Sequence, residues 1–222
     1  MRYRLLFLAL LSCLCCAVLA GEETEMKTQD IISLPRPKTK GTMSLEESIS
    51  RRRSIRSFAP KELSLDEISQ ILWATQGITD KMQGFRAAPS AGALYPLEIY
   101  VVKSDGVFHY NVEEHSLEKI RSNDVREEIV RAAWGQSFIQ QAPVSIVICA
   151  VRTRTISRYG SRGNRYVDIE VGHAAENLHL QAVALGLASV PIGAFTDSEV
   201  KRILTLPRDT EPIYIIPVGH TK

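Results

Sequence analysis

Four arginines and a serine lie within six residues of one another, in the stretch Arg51-Arg52-Arg53-Ser54-Ile55-Arg56. A guanidinium group is planar and can bind two phosphate oxygens at once, so this cluster could hold a phosphate group. The same composition also occurs on solvated basic faces and in nucleic-acid-binding patches. These residues alone leave both interpretations open.

Two segments of small residues suggest a second component of the site. They are Pro89-Ser90-Ala91-Gly92 and Pro191-Ile192-Gly193-Ala194. Small side chains allow a flat ring to approach backbone N–H groups closely. The chain has no Gly-x-Gly-x-x-Gly and no Walker sequence, so neither a Rossmann site nor a P-loop is predicted. An arginine clamp with backbone-lined walls for a planar ring suits flavin mononucleotide (FMN).

Other kinds of chemistry lack their residue patterns. His173 and His179 are six residues apart on a predicted helix and therefore lie on different faces. The sequence has no His-Glu-x-x-His and no paired cysteines, so no metal site is predicted. Ser90 does not lie in a Gly-x-Ser-x-Gly elbow, which disfavours a serine hydrolase. Cys149 lies in an apolar run and is expected to be a buried strand residue rather than a nucleophile.

The elements that must position these residues alternate between helical and strand patterns. This alternation, without an internal repeat, indicates one layered α/β or α+β domain. Ser44 and Glu47 mark a short helix before the arginine cluster, and Ser64 and Glu67 form a capping box. Longer helices are predicted at 64–75, 124–134, 167–185 and 197–204, and strands at 97–102, 107–110, 143–151, 188–194 and 212–218. Residues 78–96 and 152–163 are predicted to be loops, and the apolar run 143–151 is expected to be a central strand.

The N-terminus is typical of an exported protein. Residues 1–20 combine Arg2 and Arg4 with an apolar run and a small-residue cleavage site, as in a signal peptide. The sequence Leu10-Leu11-Ser12-Cys13 is also similar to a bacterial lipobox, which would tether the protein to a membrane through Cys13. We therefore expect a periplasmic or other extracytoplasmic location, as a secreted protein or a lipoprotein, in preference to the cytoplasm. Residues 21–43 are predicted to be an extended arm, and residues 44–222 the folded domain.

The charge balance limits the classes of binding partner, and the cysteine content limits disulfide formation. The chain has 27 basic and 25 acidic residues, and the two counts become equal without Arg2 and Arg4. Such a balance argues against general attraction to nucleic acid, so the arginine cluster must act locally. Cys149 is the only cysteine after the predicted signal peptide, so the domain cannot form an internal disulfide.

Several motifs, in order along the chain, resemble the nitroreductase superfamily. The segment from Arg52 to Phe58 is similar to its N-terminal phosphate motif. The remaining motifs resemble the SagB-type dehydrogenase branch of this superfamily. They lie at 64–79, 86–98, 172–178 and 190–195. The resemblance runs from about residue 31 to residue 219, which favours the phosphate clamp over a solvated basic face.

The resemblance implies an α+β fold, with a central, mostly antiparallel sheet flanked by helices. It also implies a homodimer with FMN at the subunit interface, acting on a small-molecule substrate. In that arrangement the phosphate and ribityl chain would be held by Arg52, Arg53, Ser54 and Arg56. The isoalloxazine ring would be lined from the partner subunit by Pro89, Ser90, Ala91, Gly92 and Leu94. A second wall would place a backbone N–H near flavin N5, and its residues are Pro191, Ile192, Gly193 and Ala194.

Five further residues have roles implied by the resemblance. Gln136 is a candidate for the pyrimidine edge of the flavin, and His220 or Lys222 for the phosphate. Arg158-Tyr159 stands where SagB-type azoline oxidases have a Lys-Tyr pair. Tyr159 could exchange protons, whereas an arginine stays protonated, so azoline oxidation is not expected. A structural role of this pair in gating the loop is the alternative.

The electron donor and the type of activity remain open at this point. NAD(P)H is a candidate donor, but export would separate the protein from the cytosolic pool, and a quinol or a protein partner is then the alternative. Two readings without this chemistry are a flavin-binding protein without turnover and a lipid-anchored module that binds another ligand.

Overall fold

The structure, a computed structural model, describes residues 31–222. The predicted signal peptide, Cys13 and residues 21–30 of the predicted arm lie outside the described residues. The strands are β1 (Ile31–Ser33), β2 (Ile78–Asp80), β3 (Phe85–Arg86), β4 (Leu97–Lys103), β5 (Gly106–Asn111), β6 (Ser116–Arg121), β7 (Val144–Ala150), β8 (Leu187–Ser189) and β9 (Glu211–His220). The helices are α1 (Leu45–Arg51), α2 (Leu65–Gln76), α3 (Arg126–Ala132), α4 (Phe138–Gln141), α5 (Thr153–Tyr159), α6 (Arg162–Ala184) and α7 (Asp197–Ile203).

Seven strands form one antiparallel sheet in the order β1-β6-β5-β4-β7-β9-β8. The apolar run that predicted a central strand becomes β7, which is buried at every position between β4 and β9. Its side chains alternate between two cores, because successive strand residues point to opposite faces. Ile146 and Ile148 enter one core, and Val147 and Cys149 enter the other. The mostly antiparallel α+β fold expected from the sequence is confirmed.

Helices cover both faces of this sheet. On one face α2 and α6 supply apolar side chains such as Ile71 and Leu178. On the other face α3 and α7 supply Ile129 and Val200. The predicted capping box begins α2, where the backbone N–H and hydroxyl of Ser64 both donate to Glu67. Burial raises the pKa of the Cys149 thiol, as expected for a strand residue that is not a nucleophile.

Four predicted boundaries are wrong. Residues 78–96, predicted to be a loop, contain the antiparallel pair of β2 and β3 and one turn of 3-10 helix. Residues 152–163, predicted to be a loop, contain α5 and the start of α6, because a basic helix with few buried positions shows no apolar periodicity. The long helix begins at Arg162 instead of residue 167, and it exposes a polar stripe. The strand predicted at 188–194 ends at Ser189, beyond which only Ile192 bridges to Ile215.

The sequence pattern did not indicate two strands of the sheet, β1 and β6, or the short helix α4. Strand β6 is hidden by its charged residues, α4 has only four residues, and β1 lies within the segment expected to be an extended arm. Since β1 pairs with β6, the sheet includes residues before the expected domain boundary at residue 44.

The described part of the chain contains neither a metal-binding cluster nor a membrane-spanning helix. No cluster of histidine, cysteine and carboxylate side chains in residues 31–222 could hold a metal ion. None of the helices in that range is long and apolar enough to cross a bilayer.

Candidate active site

The arginine cluster follows the C-terminus of α1 and runs along the edge of the sheet. The backbone N–H of Arg52 caps α1 by donating to Ser48 O. Ser54 then forms a parallel bridge with Ser189, and the Ile55 N–H donates to Ser189 O at 3.1 Å. The ring of Phe58 is buried in a small core, which fixes the far end of the segment. The segment thus presents its polar side chains at the edge of the sheet, and the buried Phe58 ring fixes its position there.

Arg52 is held from the side by α6. Its Nη1 lies 3.3 Å from Nε2 of His179, and its Nε lies 3.7 Å from a carboxylate oxygen of Glu176. Nδ1 of His179 lies 2.5 Å from the Ser189 hydroxyl. Burial, and secondarily the charge of Arg52, lowers the pKa of His179 to about 4. The neutral ring can therefore accept a hydrogen bond from Arg52 while its other nitrogen donates to Ser189.

Arg53 and Arg56 are not neutralised by a carboxylate within the described residues. Nη1 of Arg53 donates to the carbonyl oxygens of Ser50 and Arg52, and the guanidinium of Arg56 lies over the Phe138 ring, 5.8 Å from its centroid. Arg51, in contrast, forms an ion pair with Glu47 one helical turn earlier. Two exposed guanidinium groups thus remain available to an anion.

The segment after β8 borders this cluster and exposes backbone donors. Ile192 is buried and bonds to Ile215 in both directions, whereas Gly193 and Ala194 are exposed. The N–H groups of Gly193 and Ala194 donate to no acceptor in residues 31–222. The side-chain amide of Gln136 donates to Ala194 O at 2.9 Å and to Ala133 O at 3.0 Å. Gln136 therefore braces this wall, which leaves its carbonyl oxygen as the group that could face a ligand.

The two C-terminal candidates lie near the end of the cluster. The Ala59 N–H donates to the carbonyl of His220, whose imidazole Nε2 is 3.6 Å from a Glu67 oxygen. That distance is too long for a hydrogen bond, so the buried nitrogen has no hydrogen-bond partner among the described residues. Thr221 bridges to Phe58, which leaves Lys222 exposed beside the cluster.

The loop at 89–94 forms a separate, backbone-rich surface. The Ser90 hydroxyl accepts from the Tyr95 N–H at 2.9 Å, and Ala91–Ala93 form one turn of 3-10 helix. Gly92 has a φ of 63°, and a Cβ there would lie 2.8 Å from the Tyr159 hydroxyl. A glycine therefore allows the loop to pass close to α5, where Nη1 of Arg158 lies 3.5 Å from Gly92 O.

A buried carboxyl group supports this loop from behind. Glu170 on α6 is 2% exposed, lies beside Ser90 and accepts a hydrogen bond from the side-chain amide of Gln76 at 3.5 Å. Burial raises the pKa of Glu170 to about 7, against the smaller lowering effects of Ser90, Gln76 and Arg86. The side chain can thus exchange a proton near neutral pH.

The two parts of the site lie apart in one chain. The loop contacts α6 at Glu170, whereas Arg52 contacts it at Glu176 and His179. At a rise of 1.5 Å per residue, these contacts are about 9 to 14 Å apart along the helix. The cluster, the 190–194 wall and Gln136 form one group, and the 89–94 loop with Arg158 and Tyr159 forms another.

Sequence reasoning missed the residues that support each group. His179 and Ser189 join the cluster to α6, Phe138 lies under Arg56, and Glu170 lies behind the loop. A buried charged residue in a helix could have pointed to Glu170, whereas the His179–Ser189 contact depends on tertiary structure.

Comparisons with known proteins extend over most of the chain. The family model described as the nitroreductase family matches residues 49–220. A protein of Methanocaldococcus jannaschii that is named as a nitroreductase is 44% identical over 182 residues, covering 79% of this chain and 90% of that protein. A crystal structure from Ralstonia eutropha, also described as a nitroreductase, superposes with a TM-score of 0.79 at 29% identity and covers 86% of this chain and 90% of its own.

More distant relatives differ in their named roles. The trifolitoxin-processing protein TfxB of Rhizobium leguminosarum is 30% identical over 165 residues, which cover 66% of this chain but 44% of TfxB. The FMN reductase [NAD(P)H] of Bacillus subtilis is 24% identical over 189 residues, 78% of this chain and 64% of that enzyme. The chain thus belongs to the nitroreductase family, and its relatives include TfxB of the SagB-like dehydrogenase branch.

Proposed function

We propose that this chain is an FMN-dependent oxidoreductase that reduces or oxidises a small organic substrate. Membership of the nitroreductase family supports oxidoreductase chemistry, and the Bacillus relative named FMN reductase supports the flavin. The observation that carries the proposal is that the exposed guanidinium groups of Arg53 and Arg56 pair with no carboxylate in residues 31–222. The N–H groups of Gly193 and Ala194, in the segment that borders this cluster, have no acceptor there. An anionic tail and a planar ring are the two features that such an arrangement fits.

At the phosphate end, Arg53 and Arg56 would bind the oxygens and Arg52 would add a third positive charge. Ser54 is exposed next to them and could donate its hydroxyl. Lys222 could contribute as well, because the preceding residue, Thr221, bridges to Phe58 at the end of the cluster. His220 would have to turn its ring away from Glu67 to contact the phosphate. Gln136 would offer its carbonyl oxygen to the ring edge.

A second copy of the chain would complete the ring-binding walls. The 89–94 loop is separated from the arginine cluster along α6, so the loop of one chain would face the cofactor held by the other. Exposed apolar residues on α1, Leu45 and Ile49, support a homodimer, because burying them would remove apolar area from water. The interface would then contain the cofactor site.

When bound, FMN would supply hydride transfer at N5, first from a donor and then to an acceptor in a ping-pong cycle. The donor would be NAD(P)H for a cytosolic protein and a quinol or a protein partner for an exported one. The chain's own residues would bind and orient the reactants. The hydroxyl of Tyr159, held beside Gly92 in the 89–94 loop, would exchange protons with the substrate, and Arg158 would orient it.

An absorbance spectrum of the purified protein with added FMN tests the proposal. Retention of a yellow chromophore after gel filtration, at the elution volume of a dimer, is the expected result. Anaerobic titration with NADH, NADPH and dithionite should then bleach it. A colourless protein without FMN affinity would refute the proposal, and a chromophore that no reductant bleaches would leave only flavin binding.

Replacing His179 by alanine should weaken FMN binding without touching the phosphate itself. The variant loses the acceptor that holds Arg52 and the donor to Ser189, and each lost hydrogen bond contributes about 1 kcal/mol. We expect the dissociation constant of FMN, measured by fluorescence quenching, to rise roughly 10-fold.

His173→Ala is the matched control, since His173 is an exposed histidine of the same helix. It should leave FMN affinity within a factor of two or so of the unsubstituted protein. Equal affinities for the His179→Ala variant and the control would show that His179 does not position Arg52.

We also propose export, either by secretion or through a lipid on Cys13, which calls for a donor outside the cytosolic NAD(P)H pool. Cell fractionation with mass measurement of the mature N-terminus tests this part separately. Full-length protein in the cytosol would contradict export and would make NAD(P)H the expected donor.

A further inference from the structure

We propose that the small molecule that reacts at this site carries a negative charge, bound by a patch of arginines and tyrosines next to the 89–94 loop. We call the residues Arg158, Tyr159, Arg162 and Tyr166 the basic-aromatic patch. This inference rests on the proposed function, because it assigns the class of reactant that the same site accepts.

The four side chains form one continuous cluster. The rings of Tyr159 and Tyr166 meet edge to face with centroids 5.2 Å apart. The guanidinium of Arg158 lies 5.6 Å from the Tyr159 centroid, and that of Arg162 lies 6.0 Å from the Tyr166 centroid. Two tyrosine rings in edge-to-face contact thus lie between two positive charges, and each guanidinium group is attracted to the ring beside it.

The charges of this patch are not compensated within the described residues. Arg158 and Arg162 form no ion pair in residues 31–222, and both are exposed. The neighbouring Arg152 and Arg154 differ, because Arg152 pairs with Asp168 and Arg154 with Glu98. The carboxylates close to the patch are therefore already bound to other arginines.

Two further carboxylates of this region are also engaged. Glu211 pairs with Arg152, and Glu170 is buried against Ser90 and Gln76. Arg165, next to Tyr166, adds a further exposed guanidinium. The local excess of positive charge is thus a property of the folded surface, although the chain as a whole is nearly balanced.

The patch adjoins the wall that would face the flavin ring. Nη1 of Arg158 approaches Gly92 O at 3.5 Å, and the Tyr159 hydroxyl lies where a side chain on Gly92 would stand. A reactant stacked against the ring would therefore have its outer end near Arg158 and Arg162. Guanidinium groups can bind two oxygens of either a phosphate or a carboxylate at once.

The shared chemistry, a phosphate or a carboxylate, could belong to the donor or to the acceptor. A phosphate would be the additional group that distinguishes NADPH from NADH. A carboxylate would belong to an anionic acceptor, for which 4-nitrobenzoate and 4-nitrobenzamide form a pair that differs in charge. Measuring the two half-reactions separately, by anaerobic stopped-flow of the full chain loaded with FMN, tells these sources apart.

We expect one of the two pairs to show a preference of at least tenfold for the member with the additional negative charge at low ionic strength, decreasing in 0.5 M NaCl. Arg162→Glu should reduce that preference about tenfold and leave FMN affinity unchanged. Arg208→Glu, which reverses an exposed arginine without a side-chain partner among residues 31–222, is the matched control and should keep the preference. Preference in the NADPH pair identifies the donor, and preference in the nitrobenzoate pair identifies the acceptor.

Binding without turnover provides a second measurement. Calorimetric titration with NADP+ and NAD+, and with benzoate and benzamide, should show the same discrimination and the same loss in Arg162→Glu. No anion preference in either measurement, or a preference that Arg162→Glu leaves intact, would overturn the proposal. A protein that binds and reduces FMN but ignores charge would refute this inference alone, whereas a protein without FMN affinity would refute the proposed function.

Discussion

Arg56→Glu should raise the dissociation constant of FMN at least about 100-fold while leaving the apoprotein folded. The substitution removes charge-assisted hydrogen bonds, worth about 1.5–3 kcal/mol each, and places a carboxylate against the phosphate dianion. Arg56 is exposed, and its side chain lies over the Phe138 ring without a hydrogen bond or ion pair to any of the described residues. Loss of that contact should shift the melting temperature of the apoprotein by less than about 2 °C.

Fluorescence titration with FMN and thermal melting of the apoprotein measure the two quantities separately. Arg208→Glu changes the net charge equally at an exposed site and should alter FMN affinity less than about twofold. If Arg56→Glu retained FMN as tightly as this control, the cluster would not be the phosphate site. Arg52 is a poorer choice for this test, because its contacts with His179 and Glu176 also join α1 to α6.

The sequence predicted the arginine clamp and both walls because each is a contiguous segment. Residues 52–56 contain the charges within five positions, and the glycines and alanines at 89–92 and 191–194 make their backbone accessible. The same locality explains the correct prediction of β7 and of the α2 capping box, where one run of residues determines the outcome. Features of this kind need no knowledge of the fold.

The residues that support each segment could not be predicted from the local sequence. His179 contacts Ser189 only because α6 ends beside β8. Glu170 lies beside Ser90 only because α6 packs behind the 89–94 loop. Helix α5, which contributes Arg158 and Tyr159 to the basic-aromatic patch, was missed for a related reason. It is rich in arginine, and its few buried positions show no helical period. The separation of the two walls along α6 likewise follows from packing and not from spacing in the chain.

Glu170→Gln should stabilise the protein at pH 8 by up to about 3 kcal/mol and have little effect at pH 4.5. Burial raises the pKa of Glu170 from its ordinary value of 4.5 to about 7 in the folded state. The folded chain therefore binds a proton more tightly than the unfolded chain, so the contribution of Glu170 to stability is full below pH 4.5. It is lost as pH rises through 7, and the difference in pKa corresponds to about 3 kcal/mol.

Urea unfolding of the two proteins at pH 4.5, 6 and 8 measures this difference. Other groups titrate over the same range, so the informative quantity is the free energy of unfolding of the variant minus that of the parent. Glu114→Gln removes an exposed carboxylate and should show no such trend. A constant difference between Glu170→Gln and the parent across this range would contradict a raised pKa.

The same proton links stability to the candidate active site. Below pH 7 a neutral Glu170 can remain buried beside Ser90 and Gln76 without a desolvated charge, so the 89–94 loop keeps its support. Above pH 7 the buried charge favours states in which water reaches Glu170, and these states displace the loop that would face the flavin. We therefore expect the rate of FMN reduction to decrease above pH 7 in the parent and to decrease less in Glu170→Gln. A parallel decrease in both would assign the pH dependence to another group and leave Glu170 with a role in stability alone.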